Sequence, residues 1–436
     1  MDGEIILNTQ PDNDQATPAP TFGEALAYWI KLGFISFGGP AGQIAIMQTD
    51  CVDRRRWIDQ GAFLRGLNYC MLLPGPEAQQ LAAYIGWRLH GVKGALAAGL
   101  CFIIPGLLLM IGLAWLAAAH GDHTLVRAVF AGIKPVVVAI IVHAVWRIGR
   151  KACDTVAAVA LAAFALFAIR VLEVPFPFLV LGAGALGALL PGLTWQKSGG
   201  DHDAPASSGT ATVPSGIGRV FVLVAVFALL WVVVVAATVS LLGGDPFTDV
   251  AQLFTTAAFV TFGGAYAVLP YIADAGVNVH GWLSAGDMMN GLALAETTPG
   301  PLIMVTTYVG FFAGWNGPAG MTGAIGGIWA ALLTTYVTFL PSFLFIIAGA
   351  PYVERLQSIA WARRALQAVT AAVVGVILNL AFFFGEGVFL PPSGVDPVAI
   401  AVAVVSLGLL MGTRIQLPAL VGLGALWGLL HTLVLA

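Results

Sequence analysis

Two tripeptides, Pro74-Gly75-Pro76 and Pro299-Gly300-Pro301, interrupt apolar stretches at 59–90 and 285–313. A glycine pair precedes each of them, Gly38-Gly39 (followed by Pro40) and Gly263-Gly264. None of these can continue a regular helix, because proline lacks an amide donor and clashes with the preceding turn. Backbone groups freed inside an apolar stretch are costly unless they line a cavity or bind something. Each helix that restarts offers unpaired N–H groups and the positive end of its dipole, a setting that suits an anion. The structural alternative is a simple kink. Breaks at corresponding places in two halves point instead to a central site of transporter type.

Polar residues crowd both breaks. Arg65, Asn68, Glu77, Gln79, Gln80 and Tyr84 surround the first; Asn290, Glu296, Thr297, Thr298, Thr306, Thr307 and Tyr308 surround the second. A cation at membrane depth is expensive, which makes Arg65 a functional candidate. Its planar fork of donors matches an oxyanion; pairing with Glu77 or an aromatic ring is the structural alternative. Amides and hydroxyls at Asn68, Gln79, Gln80, Asn290, Thr297 and Thr298 would complete the hydrogen bonds to a tetrahedral ion. Backbone donors at Gly38, Gly39, Gly75, Gly263, Gly264 and Gly300 would join them. Glu77 and Glu296 flank the breaks as candidate proton carriers, with helix capping the alternative for Glu77.

Other residues are less specific. Arg54-Arg55-Arg56-Trp57 reads as a basic collar that gathers or releases an anion, or as an interfacial anchor. Lys134 beside Pro135 either sits in the bundle or snorkels from a helix end. His143, on an apolar helix, reads as a core histidine. Cys51, Cys70, Cys101 and Cys153 show no CxxC spacing and no histidine partner. They read as packing residues, and no metal or cofactor is expected.

The elements that position these residues must be membrane helices. The chain is 59% hydrophobic and 9% charged, against about 25% charged in soluble domains. Lipid is therefore the solvent, and the fold class is all-α polytopic. A net charge of −3 argues against nucleic acid. Residues 1–20 are polar and acidic, without the features of a signal peptide. They read as a disordered cytoplasmic tail. Apolar segments run over 22–37, 92–119, 124–148, 152–170, 174–193, 219–242, 246–262, 322–350, 365–385, 397–412 and 415–435.

An internal repeat organises them. Phe34-Ile35-Ser36-Phe37-Gly38-Gly39 returns as Phe259-Val260-Thr261-Phe262-Gly263-Gly264, 225 positions later. The same register takes Trp57 to Trp282, Gly66 to Gly291 and the first Pro-Gly-Pro to the second. Arg127-Ala128-Val129 meets Arg364-Ala365-Leu366 at a register of 237. The expected layout is a first repeat at 21–193, a cytoplasmic linker at 194–218, a linking helix at 219–245 and a second repeat at 246–436. If each Pro-Gly-Pro stretch is one span of two half-helices, each repeat holds about six spans, the total is about 13 and the linking helix inverts the second repeat; if these hairpins re-enter instead, the parity changes and the count fails. With the N-terminus cytoplasmic and the C-terminus periplasmic, inner connections hold eleven Lys and Arg and outer ones five, in keeping with the positive-inside rule. The Arg54–Arg56 cluster, placed outside, is the worst misfit.

These motifs resemble the chromate ion transporter family in its long two-domain form. The resemblance rests on Phe37-Gly38-Gly39-Pro40, Arg56-Trp57, Leu73-Pro74-Gly75-Pro76-Glu77-Ala78-Gln79-Gln80, Tyr84-Ile85-Gly86-Trp87 and His90-Gly91. In the second half it rests on Thr261-Phe262-Gly263-Gly264, Pro270, Trp282 and Glu296-Thr297-Thr298-Pro299-Gly300-Pro301. It covers nearly everything from about residue 20 onward. It implies an inner-membrane secondary transporter, not an enzyme, that expels chromate using the proton motive force. Sulfate is the related cargo and protons the coupling ion. A homodimer is compatible with the sequence. Leu302 stands where the first repeat has Glu77, so the halves are expected to contribute unequally.

Overall fold

The computed structural model describes residues 20–37, 39–190, 217–262, 264–317, 323–353 and 360–435. Gly38, Gly263, the N-terminal tail and nearly all of the 194–218 linker lie outside the described residues. Those described are helical, without strands. The first set of elements is α1 (Phe22–Ile35), α2 (Gly39–Met47) with a π-helical turn (Gln48–Arg54), α3 (Gln60–Leu72), α4 (Glu77–His120), α5 (Thr124–Ala152), α6 (Val156–Arg170) and α7 (Phe176–Leu189). After α8 (Ile217–Leu242) come α9 (Phe247–Val260), α10 (Ala265–Asp274) with a π-helical turn (Ala275–Val279), α11 (Ala285–Thr297), and α12 (Val305–Trp315), entered through a short 3₁₀ turn. The chain ends with α13 (Ala324–Gly349), α14 (Ala360–Phe389), α15 (Pro397–Gly412) and α16 (Leu417–Leu435). Among the described residues, six helices are long and apolar enough to cross a membrane.

The order of elements recurs, and so do the local devices that start them. Asp59 caps α3 by accepting from the Ala62 N–H (2.7 Å), and Ser284 caps α11 by accepting from the Asp287 N–H (3.0 Å), at the 225 register. Thr155 caps α6 (3.2 Å from Ala158 N) and Asp396 caps α15 (2.9 Å from Ala399 N). Such caps satisfy amides that have no partner within the helix. The α4 backbone breaks at His90 and Gly91, and Gly91 (φ 59°, ψ −147°) has nearly the conformation of Gly323 (φ 76°, ψ −147°) before α13. Beyond each break the chain doubles back. A Cβ on Gly86 would lie 2.3 Å from the Gly94 carbonyl, and one on Gly314 2.1 Å from that of Gly326.

The Pro-Gly-Pro stretches do not cross as single spans. A Cβ on Gly66 would sit 2.2 Å from the Tyr84 ring. In a straight helix these residues, 18 positions apart, would be separated by about 27 Å. α3 and residues 77–90 therefore form an antiparallel hairpin, and Gly291 against Tyr308 (2.4 Å) shows the same for the second repeat. Gly75 and Gly300 make the turns, with φ of 118° and 99°.

The 22–37 segment also turns back at its glycine break. Tyr28 and Trp29 of α1 meet Trp57 at ring separations of 5.2 and 6.4 Å. Phe254 of α9 meets Trp282 at 6.4 Å, again at the 225 register. The count of 13 spans is thereby overturned. So is the placement of the arginine collar on the side opposite the N-terminus: Arg55 lies over the Tyr28 ring, and Pro20 bonds His90 (3.0 Å). The start of α1, the Arg54–Arg56 connection and the turn at residue 90 share one end of the molecule.

The two sets of helices exchange their last pairs. α6 and α7 pack on α14, α15 and α16 pack on α5, and α5 packs on α14. Small residues allow this approach. Gly132 of α5 faces Gly424 and Gly428 of α16, and Gly375 of α14 faces the Ala162 carbonyl of α6.

Replacing Gly66 with Ala should push the Tyr84 ring out of the first hairpin and cost about 1–3 kcal/mol, as overpacking does. A clear fall in melting temperature in detergent is expected. Gly112→Ala, where the added methyl meets nothing within 4 Å, should melt like wild type.

Candidate functional site

Each Pro-Gly-Pro turn is tied to the glycine break of the other repeat. The Gly75 N–H donates to the Thr261 carbonyl (2.8 Å), and the Gly300 N–H donates to the Ser36 carbonyl (3.0 Å). Both donors and both acceptors are related by 225 positions. Ser36 Oγ, in turn, donates to the Leu32 carbonyl (2.6 Å), and Thr261 Oγ1 donates to that of Ala257. Buried Gln43 reinforces one crossing, donating from Nε2 to the carbonyls of Ser36 (3.0 Å) and Gly300 (2.7 Å). Gln80 Nε2 donates to the Pro74 carbonyl (2.7 Å). Unwound backbone in an apolar interior is thus largely satisfied within the protein, as it must be.

Where the breaks meet, a cavity of 390 Å³ opens. Pro40, Ala41 and Ile44 line it from α2, Glu77 from the start of α4, and Gly264, Ala265 and Tyr266 from the start of α10. Arg147 and Lys151 enter from α5, and Gln367 and Thr370 from α14. Two helix N-termini face each other here. A Cβ on Gly264 (φ 96°) would lie 3.7 and 3.8 Å from the Glu77 carboxylate oxygens. The first amides of α4 and α10 have no helical acceptors. Arg147 adds a cation whose field reaches Glu77, Glu296 and Tyr266. An arginine, a lysine and two dipole ends are a chemistry for an anion. Behind the wall, buried Glu296 accepts a hydrogen bond from the Tyr266 hydroxyl.

A neighbouring cavity of 520 Å³ shares Arg147 and Tyr266 and adds His143 and Gln416. His143 thus borders a cavity rather than being sealed in the core. A third cavity, of 630 Å³, is lined by Arg170, Asp274, Asn278, His280 and Asn379. It is built from α10, α14 and the α6–α7 turn, the counterparts of the elements around the second cavity.

The expected site residues divide. Pro40, Glu77 and Gly264 line the first cavity. Gly39 (φ 74°) begins α2, and Gly75, Gly300, Pro74, Pro76, Pro299 and Pro301 form the tied turns. Thr297 and Thr298 turn their hydroxyls to the carbonyls of Leu294 (2.9 Å) and Ala295 (3.3 Å). Gln79 and Asn290 are buried away from the cavities; neither polar atom of Gln79 has a partner, nor does Asn290 Oδ1. Asn68 is exposed. Arg65 lies beside Gly61 on α3, with Arg88 near Tyr84, and borders none of the three cavities. Arg54 pairs with Asp50 (3.4 Å), Arg55 stacks on Tyr28 and Trp57 (5.0 and 4.9 Å), and Arg56 has φ 50°. Lys134 reaches the start of α11, with Nζ 3.0 Å from a Cβ on Gly286.

Sequence reasoning missed Arg147, Lys151 and Tyr266. Arg147, one of the eleven Lys and Arg counted with the inner connections, stands at the end of the 124–148 apolar run, whereas α5 continues to Ala152. Tyr266 directly follows the second glycine pair, and that adjacency was the available signal.

By fold and site, this is a polytopic membrane protein with an anion-suited cavity between two sets of broken helices. It belongs to the chromate transporter family, whose profile matches residues 23–188 and 248–429. A chromate transport protein of Pseudomonas aeruginosa is 34% identical over 373 residues, covering 83% of this chain and 81% of that one. One from Cupriavidus metallidurans is 25% identical over 94% of both chains. An uncharacterised transporter of Bacillus subtilis is 26% identical over 168 residues, 94% of its own length and 38% of this chain. No solved structure matches.

Gln43→Leu should strand the Ser36 and Gly300 carbonyls at a cost of about 1–3 kcal/mol. Thermal melting of the purified protein checks this, with half-buried Gln48→Leu, whose amide reaches only Gln60 (3.5 Å), expected to lower the melting temperature far less.

Proposed function

We propose that this chain is a secondary transporter that carries chromate out of the cytoplasm in exchange for protons. One observation carries the reading: two helix N-termini and Arg147 converge on a single cavity at the tied breaks. Chromate is a doubly charged tetrahedral oxyanion, and amides at helix ends together with a guanidinium recognise such a shape. The names of the relatives supply the cargo. Glu77, in the cavity wall, and Glu296, behind it, are the proton-coupling carboxylates. The cavity offers no feature that separates chromate from sulfate by shape, so sulfate is the competitor to test.

The proposed layout is inverted. Both hairpins of each repeat re-enter on the side from which they came. Residues 91–120, α5, α6 and α7 then supply four crossings, α8 one, and α13 to α16 four. The short α6–α7 and α15–α16 helices come in pairs, so the inversion holds whether or not each crosses fully. With a cytoplasmic N-terminus, the Arg54–Arg56 connection becomes cytoplasmic, in line with the positive-inside rule, and the C-terminus is periplasmic.

In everted inner-membrane vesicles, Arg147→Gln should lower chromate uptake about 10- to 100-fold, the worth of a charged hydrogen bond. Arg65→Ala should lower it far less. Glu77→Gln and Glu296→Gln should remove stimulation by a pH gradient. Wild-type uptake in the Arg147 variant, correctly inserted, rejects the site. Counterflow in proteoliposomes with chromate, sulfate and phosphate ranks the cargo.

In a cysteine-free background, Arg54→Cys should react with an impermeant maleimide only from the cytoplasm, and Ser393→Cys only from the periplasm. The reverse pattern at either position rejects the layout.

A further inference from the structure

Glu296 is buried on α11 and borders none of the three cavities. Its hydrogen-bond partner, Tyr266, borders two of them. The first holds the facing helix N-termini, Glu77 and Lys151. The second lacks these and holds His143 and Gln416. Tyr266 therefore stands at a fork, with the buried carboxyl behind it, the anion cavity on one side and the His143 cavity on the other.

The ionisable surroundings of Glu296 are few. Tyr266 faces it from α10, and the field of Arg147 reaches it from α5. Toward the far end of α11 lie Asp287 at its first turn, Lys134 of α5 against Gly286, and Tyr308 of α12 against Gly291. None of these three borders the Tyr266 cavities. The pair also exists in one repeat only. At the 225 register Tyr266 corresponds to Ala41 and Glu296 to Met71. The same architecture is built in the first repeat from a methyl group and a thioether, so the fold does not require the pair.

We infer that Tyr266 is the proton gate: it passes a proton from Glu296 into the His143-lined cavity, on a branch separate from the anion cavity. The inference rests on the transport reading above and deepens it. With Glu296 protonated, its O–H donates to the Tyr266 oxygen. As that proton transfers, the tyrosine's own proton leaves to water in the second cavity, with His143 as the next acceptor. Tyr266 ends neutral, and Glu296 ends as a carboxylate ready to be reprotonated from the other side. No proton need cross the space the anion occupies.

The test uses the full-length protein in proteoliposomes, with two readouts. Chromate counterflow at equal pH exchanges anion for anion and needs no net proton movement. Uptake driven by a pH gradient does. Tyr266→Phe keeps the ring that walls both cavities and removes only the hydroxyl. It should lose gradient-driven uptake by about 100-fold, the scale of a missing proton-transfer group, and lower counterflow by far less. His143→Gln should retain counterflow and shift the pH profile of driven uptake. Tyr266→Phe with undiminished driven uptake overturns the gate. Equal loss of both activities in a folded Tyr266→Phe protein also overturns it, because it makes the hydroxyl part of the anion site. Absent counterflow in wild type instead overturns the transport reading itself.

Discussion

An unwound peptide group in a hydrocarbon solvent must find a partner inside the protein. The two amide-to-carbonyl bonds that cross between the repeats, Gly75 to Thr261 and Gly300 to Ser36, meet that requirement at four places together. Much else follows from them. They fix the turn of each hairpin against the break of the other repeat. They bring the first residues of α4 and α10 face to face. They also place the cavity at the seam between repeats, so that neither repeat owns the site.

On this near-symmetric frame the charges are distributed unequally. Glu77 has Leu302 as its counterpart, Glu296 has Met71, and Arg147 has Phe384 at the 237 register. Backbone geometry is duplicated, while ionisable chemistry is not. The first two cavities take the arginine and the tyrosine, with Glu77 in the first and Glu296 behind Tyr266. The third takes Arg170, which pairs with Glu386 across the α6–α14 contact.

Much of the architecture was legible in the sequence. Gly, Pro and Trp punctuation revealed the repeat, and apolar runs located most helices; α15 occupies 397–412, the run read from composition. The breaks were legible because proline and paired glycine act locally. What was not legible depends on contacts distant in the chain. Whether α3 and residues 77–90 stack end to end or fold together is decided by Gly66 receiving the Tyr84 ring, and hydropathy is blind to that. Arg147 was hidden because a helix can carry charged residues in its last turns when they face a cavity. Arg65 drew notice as a cation in an apolar stretch, yet its place on the hairpin puts it beside Asp59 and Tyr84 instead of at the seam.

The exchanged terminal pairs have a consequence for how such a protein can be assembled. α5 is covered by α15 and α16, and α14 by α6 and α7. A polypeptide carrying one repeat alone would leave its central helix bare and its turning glycine without an acceptor. It could complete itself only against a second copy that supplied the missing partners. In the present chain one polypeptide carries both partners, so a single ribosomal product holds them in a fixed one-to-one ratio.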